Sequence, residues 1–431
     1  MKKIELLAPA GDLERLKIAF TYGADAVYIG GEIFGMRSAA KNFTIEEMKE
    51  GVEFAHNLGK QVFVTINIIP RSEELEQLPP YLLQLQEIGV DAVIVSDAGV
   101  FSIVKKTIPN MEVHISTQAS TSNSVAAKFW YEQGAQRVVT ARELSFDEIR
   151  AIRDNVPEDM DIEAFVHGAM CMSYSGKCVI SNYTTGRDAN RGACAQPCRW
   201  KYNLVKENEN GEYEETPEIT TGYLKELVDK NEEVINGIDS SFFFNSKDLC
   251  MIEYIPQLIE CGITSFKIEG RMKTAYYVAT TVRAYRMAID AYYEDPENWK
   301  FNPVWLEELK KGSHRDYSTG FYFDRPSDKA HNYESASYIR NYDFVGIVRD
   351  YDAENDLYIV EQRNKMNVLD KVEVIGPYKE TMLATIEEMY NEDGEPIESA
   401  PHARQIVKLK LDIKVDKNYM LRKPIVTINT I

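Results

Sequence analysis

"IELLAPAGDLERLKIAFTYGADAVYIG", Ile4 to Gly30, decides the fold. A short apolar run gives way to a polar turn, then to an amphipathic stretch that stops at Gly23, then to a second β-branched run. Apolar residues at three- and four-residue spacing mark the middle segment as a helix. A strand, a helix and a strand in that order imply parallel strands joined by a helical crossover. The pattern recurs along the chain. Strands are expected at "IELLA", "DAVYIG", "QVFVTIN", "DAVIVS", "EVHIST", "RVVTA", "IEAFVH" and, after a long interruption, "SFKIEG". The helices between the early strands end at Gly23, Gly59, Gly89 and Gly134. Eight such units favour an α/β fold closed into a (β/α)8 TIM-like barrel over an open doubly wound sheet.

After the seventh strand the pattern is broken by about seventy residues, a length that in compact domains marks a functional or disordered loop. "FFFNSKDLCMIEYIPQLIECG" is then expected to resume a helix. The helix after the eighth strand carries Val278, Val282, Tyr285, Ile289 and Tyr292 on one stripe, with Arg283 and Arg286 off it. Asp295 to Glu334 reads as an irregular connector. Beyond it, "FVGIVRDYDAENDLYIVEQRNKMNVLDKVEVIGP" alternates apolar and polar residues around turn-forming "DAEND" and "NKMN", the mark of a small antiparallel β-barrel-like domain. The expected organisation is a catalytic barrel over 1–295 with a cysteine-bearing insertion at 170–240, a connector at 296–334 and a C-terminal β-domain at 335–431.

The 431 residues are 44% hydrophobic and 27% charged, a composition that fits a folded protein of two or three domains. No apolar run approaches the ~20 residues of a membrane span. "MKKIELLAPAGD" reaches Glu5 before any long apolar stretch, so it reads as a first strand and not as a signal peptide. A cytoplasmic protein is expected, in which thiols stay reduced and structural disulfides are rare. The net charge of −19 argues against indiscriminate nucleic-acid binding, so any contact with phosphates must be local. One stretch is suited to it: Cys171 to Lys201 holds Lys177, Arg187, Arg191, Arg199 and Lys201 against the single acid Asp188. Lys206 to Asp239, by contrast, has eleven acids and three lysines.

In a (β/α)8 barrel the chemistry sits at the carboxyl ends of the strands. The polar residues there are Asn67, Asp97, Gln118, Arg142 with Glu143, His167, and Lys267 with Glu269 and Arg271. Each has a structural reading beside the functional one. Asp97 and Asn67 could cap helices, and Lys267 with Glu269 could be an ion pair. A lone histidine such as His167 is more often a hydrogen-bonded barrel residue than a catalyst.

Four of six cysteines, Cys171, Cys178, Cys194 and Cys198, fall in "CMSYSGKC" and "CAQPC", with gaps of six, fifteen and three residues. Zinc knuckles bring ligands in pairs two to about four residues apart, which suits only the last pair. An iron–sulfur cluster also needs four thiolates and tolerates irregular spacing, so a cluster ranks above zinc. Gly168, Gly176 and Gly192 would let backbone amides approach bridging sulfides. Cys250 and Cys261, read as residues of one amphipathic helix, behave as small hydrophobes. A catalytic cysteine with His167 as base would leave three neighbouring cysteines unexplained.

"EAFVHGAMCMSYSGKCVIS", Glu163 to Ser181, resembles the signature of peptidase family U32. The similarity continues through "LLAPAGD", "GADAVYIGG", "STQAS", "NRGACAQPCRW", "NSKDL" and "SFKIEGRMK" into a small C-terminal β-domain. The chain looks most like the branch associated with prephenate-dependent formation of 5-hydroxyuridine at the tRNA wobble position. The resemblance implies a [4Fe–4S] cluster on Cys171, Cys178, Cys194 and Cys198, with Cys250 as the fallback fourth ligand. It also implies prephenate as co-substrate and an anticodon loop as partner, and it leaves room for a second chain of the family. On this reading His167, Arg142, Lys267 and Glu269 serve catalysis. Gln118, Arg187, Arg191, Arg199, Arg271 and Lys273 contact substrate, mainly its phosphates, while Arg142 and Arg271 suit a dicarboxylate. The family's name points instead to a collagenase-like protease, yet the chain has no GxSxG and no HExxH. A zinc-stabilised RNA-binding scaffold is the non-enzymatic alternative.

Overall fold

The computed structural model describes residues 3–35, 42–203, 205–207, 210–211, 213–215, 240–326 and 328–425. Most of "VKENENGEYEETPEITTG", the acidic part of the long loop, which the sequence alone reads as mobile, lies outside them. The eight expected strands are present: β1 Glu5–Pro9, β2 Ala26–Gly30, β3 Gln61–Ile66, β4 Ala92–Val95, β5 Glu112–Ile115, β6 Arg137–Val139, β7 Asp161–Gly168 and a closing strand at Ser265–Ile268. β1 to β7 pair in parallel in chain order. The closing strand joins β7 to β1, with Lys267 opposite Phe165 and Ser265 opposite Glu5, so the sheet is a closed (β/α)8 barrel. The crossover helices begin where the sequence places turn residues: Asp12, Thr44, Asp97, Asn123 and Ser145 each accept a hydrogen bond from a first-turn amide. Asp97 is therefore a cap.

The barrel interior is charged at one level. Lys267 Nζ lies 2.6 Å from Glu163 Oε1, and Arg137 bridges Glu163 at 3.0 Å, Asp161 at 3.3 Å and Glu5 at 2.5 Å. Charges this deep persist only because each meets opposite charge at hydrogen-bonding distance. Aromatic faces complete the layer, with Lys267 Nζ 4.4 Å from the centre of the Tyr28 ring and the Arg137 guanidinium 5.2 Å from that of Phe63. At Val166 the register slips: Lys267 faces Phe165 but Ile268 faces His167. Such a bulge re-aims the side chains after it. Glu163 shares the interior with Lys267, whereas His167 sits among Tyr277 and Tyr285 of the helix Ala275–Glu294 and Tyr317, at ring-centroid distances of 6.1, 5.5 and 5.4 Å.

Two expectations about the second half are corrected. Asp248–Cys250 forms a strand antiparallel to β7, with Cys250 opposite His167, and helix resumes only at Ile252. The connector is not irregular throughout: Asn302 caps a helix at Pro303–Lys311 that buries Trp305 and Leu309, and Tyr317–Ser318 pairs with Asp248–Cys250. Arg283 and Arg286 are buried, because the helix Ala275–Glu294 is covered on a second side. Its cover is a closed six-stranded antiparallel barrel built from Tyr342–Asp352, Leu357–Gln362, Lys371–Ile375, Met382–Tyr390, Ile406–Leu411 and Met420–Pro424. Arg283 and Arg422 of that barrel both grip Glu308, at 2.9 and 2.6 Å, and Arg422 also reaches Glu373 at 2.8 Å.

Candidate active site

The cysteine segment roofs the carboxyl end of the barrel, and its fastenings run from β3 to β7. β7 leads straight into it at Gly168. Arg142, three residues past β6, donates to Ala169 O at 2.7 Å, with its guanidinium 3.9 Å from the centre of the Phe165 ring. Gln118, just past β5, packs under Gly176, where a Cβ would fall 2.3 Å from Gln118 Nε2. That contact and a φ of +75° reserve position 176 for glycine. Past β3, Glu74 pairs with Arg191 at 3.0 Å and accepts from Arg71 N at 2.7 Å. Hydrogen bonding to Arg191 and Arg71 holds the Glu74 carboxyl at about 2.

Inside the segment, Ser181 ties two turns together. Its Oγ donates to Arg187 O at 2.7 Å and accepts from Ala195 N at 2.9 Å. Arg199 is the deeper anchor. It is buried, donating to Asn245 Oδ1 and Ser246 O at 2.5 Å and to Met170 O at 3.1 Å. Asn245 in turn donates to Asn332 O at 3.0 Å and Ser335 O at 2.8 Å. "NSKDL", Asn245 to Leu249, is thus the mooring of the roof: Asp248 Oδ2 accepts from Arg315 N at 3.1 Å. The sequence marked this motif through resemblance alone. Its structural purpose and the part of Arg315 were missed, since no local pattern links positions so far apart.

The four cysteines share one neighbourhood. Burial pushes the Cys198 thiol up to about 11, and nearby Cys171, Cys194 and Cys178 add to the rise against the opposing charge of Arg199. Cys194 Sγ accepts from Gln196 N at 3.3 Å, made reachable by the left-handed turn at Gln196 (φ 57°). Cys171 keeps solvent-accessible surface although protein crowds it on most sides; crowding pushes its thiol up, and Arg142 opposes this. Among the described residues no three His, Cys, Asp or Glu side chains stand close enough to hold a single metal ion. Cys250 is apart from the group: burial pushes its thiol up to about 12, and it neighbours Tyr285.

Polar side chains just past β3, β5 and β6, and Ser175 in the cysteine segment itself, carry unmet atoms. Asn67 Oδ1, both amide atoms of Gln118, Ser120 Oγ, Thr121 Oγ1, Arg142 Nε, Glu143 Oε2 and Ser175 Oγ are buried with no hydrogen-bond partner among the described residues. Gln118 is only 3% exposed. A buried polar group without a partner costs about 1–3 kcal/mol, and several at one place mark a position where something polar binds. Burial also raises the Glu143 carboxyl, so that it holds a proton more readily than an exposed acid. Asn67 is no helix cap; its Nδ2 donates to Ser116 Oγ at 3.3 Å.

Other expected site residues lie elsewhere. Lys267 is one level down, engaged by Glu163 and not by Glu269. His167 is outside the interior, and burial lowers it to about 3, away from the neutral range expected of a proton carrier. Glu269 is buried beside Gly168 and Tyr277, its carbonyl accepting from Tyr277 OH at 3.0 Å. Arg271 remains at the mouth, its guanidinium donating to Thr65 Oγ1 at 3.0 Å and filling the space a side chain at Gly30 would need. Lys273 lies 3.7 Å from the centre of the Tyr338 ring and donates to Ser313 O at 3.2 Å. Arg187 is exposed, with Nε donating to Ala193 O at 2.8 Å. Arg191 and Arg199 are spent on holding the roof, which removes them from the phosphate contacts expected of them.

Fold and site together define a (β/α)8 barrel protein with a four-cysteine roof over its catalytic end and a six-stranded barrel behind. Residues 11–332 match Peptidase family U32 and residues 340–422 match the Peptidase family U32 C-terminal domain, so the chain belongs to that family. It is 46% identical over 422 residues to the tRNA hydroxylation protein P1 of Bacillus subtilis, covering 98% of this chain and 95% of the relative. It is 35% identical over 397 residues to the 23S rRNA 5-hydroxycytidine C2501 synthase of Escherichia coli, covering 90% of this chain and 56% of the relative. A collagenase of Porphyromonas gingivalis is 31% identical over 397 residues, 89% of each chain.

Proposed function

We propose that this chain hydroxylates RNA, forming 5-hydroxyuridine at the wobble position of tRNA. The observation that carries the reading is the four-cysteine segment fastened to the strand ends at Gln118 and Arg142, two side chains that keep unmet donors and acceptors there. Relatives named for tRNA and rRNA hydroxylation support the reaction class. The four cysteines fit an iron–sulfur cluster. Their thiols influence one another electrostatically, Cys194 accepts a backbone N–H, and Cys171 keeps solvent-accessible surface. Ligands of a group several ångströms across need not meet at one point, as the ligands of a single zinc must. Such a cluster, a [4Fe–4S] centre on Cys171, Cys178, Cys194 and Cys198, would supply redox or Lewis-acid chemistry without molecular oxygen.

Replacing C5–H of uracil by C5–OH is a two-electron oxidation of the base. A donor that exchanges its hydroxyl for that hydrogen balances it, and prephenate is the donor proposed. Arg142 and Arg271, on opposite sides of the mouth, suit its two carboxylates, since a guanidinium pairs with a carboxylate through parallel hydrogen bonds. The amide of Gln118 offers a donor and an acceptor side by side, the complement of a pyrimidine edge. An anticodon-loop base is already unpaired and can be splayed into such a mouth at little cost.

The peptidase reading lacks a dyad. His167 lies behind β7 among tyrosines, and none of the four roof thiols is hydrogen-bonded to a histidine in the described residues. The test is nucleoside analysis of tRNA from cells lacking this protein, complemented with wild type, Cys171→Ala, Arg142→Ala or Gln118→Ala. Wild type should restore 5-hydroxyuridine derivatives and the variants should not. Intact wobble modification in the deletion strain, together with gelatin cleavage by the purified protein, would overturn the reading.

A further inference from the structure

The roof has an outer face as well as an inner one. In an acidic protein its exposed side chains alternate rings and cations along the chain, Tyr174, Lys177, Tyr183, Arg187, Trp200 and Lys201, and Ser181 ties the turns that carry them together. Tyr183 is 90% exposed, Tyr174 48% and Trp200 40%. The short helix Ile180–Thr185 buries only Ser181, leaving Ile180 and Tyr183 in solvent. The single acid of the stretch, Asp188, is engaged by Asn182 Nδ2 at 2.5 Å. Exposed rings scattered singly are ordinary, but here three fall within one fastened segment together with cations that no ion pair among the described residues neutralises.

We propose that this outer face is the docking surface for a single-stranded RNA segment. Tyr174, Tyr183 and Trp200 act as stacking platforms, and Lys177, Arg187 and Lys201 as the phosphate contacts. This deepens the RNA reading above and rests on it. Charge decides the occupant: a locally basic aromatic face attracts a polyanion, whereas the same face on a second copy carries the same cations and is repelled. Aromatic rings interleaved with cations are the chemistry by which unpaired bases and their backbone are held without base-pair readout. A duplex offers phosphates but no free base faces, so the surface should prefer a loop. Arg191 and Arg199, occupied by Glu74 and Asn245, take no part.

The probe is a fluorescent RNA hairpin with a seven-nucleotide loop, titrated with the full chain and compared with a blunt duplex of equal length. Tyr183→Ala and Trp200→Ala should each weaken hairpin binding roughly tenfold while leaving the weak duplex binding unchanged. The triple variant Lys177→Ala, Arg187→Ala, Lys201→Ala should flatten the slope of log affinity against log salt by about 2 for a single strand. Circular dichroism confirms folding of each variant. Equal affinity for hairpin and duplex, or unaltered hairpin affinity in the ring variants, overturns the surface even if the cells still make 5-hydroxyuridine. Conversion of a dimer to a monomer by Tyr183→Ala, seen by sedimentation, would assign the face to a second copy and overturn it as well. Normal hairpin binding in a protein that modifies no tRNA would leave the surface standing and sink the hydroxylase reading alone.

Discussion

Replacing Lys267 separates a structural ion pair from a catalytic base. Lys267 and Glu163 are nearly inaccessible to solvent and 2.6 Å apart, and Glu163 shares its other oxygen with Arg137 at 3.0 Å. Burial lowers the lysine's pKa, and Glu163 works against that loss. Lys267→Met fits the same tube of space but leaves Glu163 with one cation in place of two. Breaking one side of a buried pair costs about 3–5 kcal/mol, because the remaining charge loses its partner without regaining water. With a urea slope of about 3 kcal/mol per molar, the unfolding midpoint should fall by about 1–1.7 M. Adding Glu163→Leu should restore much of the loss, since Arg137 keeps Glu5 and Asp161. Midpoints come from urea titrations of the full chain followed by near-UV circular dichroism, with tRNA hydroxylation measured on the same variants. A midpoint within ~0.2 M of wild type combined with abolished hydroxylation would refute the reasoning and return Lys267 to the reacting groups.

The cysteine assignment makes a compositional prediction: Cys171→Ala, Cys178→Ala, Cys194→Ala and Cys198→Ala should each lose iron and sulfide together, while Cys250→Ala and Cys261→Ala keep both, as read by metal and sulfide analysis after anaerobic purification. Full iron in Cys198→Ala with loss in Cys250→Ala would move the fourth ligand. Loading should also favour alkaline pH, because the Cys198 thiol, pushed up to about 11, must release its proton to bind metal; loading independent of pH from 6 to about 9 would count against Cys198. At the junction of the two barrels, burial raises the Glu308 carboxyl but Arg422, Arg283 and Lys311 outweigh it, holding it at about 2 against an ordinary 4.5. A depressed acid stabilises above its unfolded pKa and loses that contribution as pH falls through the folded one, so ~3 kcal/mol should disappear between about pH 4.5 and 2. Glu308→Gln should flatten acid unfolding in that window, and an unchanged profile would show the carboxylate contributes nothing there.

The barrel was legible because parallel strands buried on both faces read as continuous apolar runs, and because each helix opens on a side chain able to cap it, as at Asp12, Thr44 and Asn123. The helix at Pro303–Lys311 was equally legible in Asn302 and Pro303, a cap followed by proline at the first helical position, but its surroundings drew it into an irregular reading. What could not be read is long-range. The bulge at Val166 has no sequence mark, yet it carries His167 out of the interior and so removes the obvious proton carrier from the mouth. Lys267 was placed at the rim by counting to a strand end, while its depth is set by Glu163, some hundred positions earlier and one strand over. Arg191 and Arg199 were counted as free cations because their partners, Glu74 and Asn245, lie on elements brought near only by folding.

These displacements share a direction. Residues chosen for their charge turn out to build floor and moorings, whereas the atoms left unsatisfied at the strand ends and in the cysteine segment belong mostly to uncharged side chains: Gln118, Asn67, Ser120, Thr121 and Ser175. Such side chains suit a neutral, planar, hydrogen-bonding ligand, while Arg142 and Arg271 remain as the local charges for the donor's carboxylates. That is the character of a nucleobase and unlike that of a peptide backbone held for attack by an ionised nucleophile. If so, Gln118→Glu should weaken productive binding of RNA more than Gln118→Leu. The added carboxylate can accept from the base but no longer donate, and it repels the approaching phosphates, whereas leucine only deletes two hydrogen bonds. The readout is the Michaelis constant for an anticodon stem-loop at fixed donor concentration. Equal constants for the two variants would mean that the amide does not face the base, and would place recognition with Arg142 and the outer roof alone.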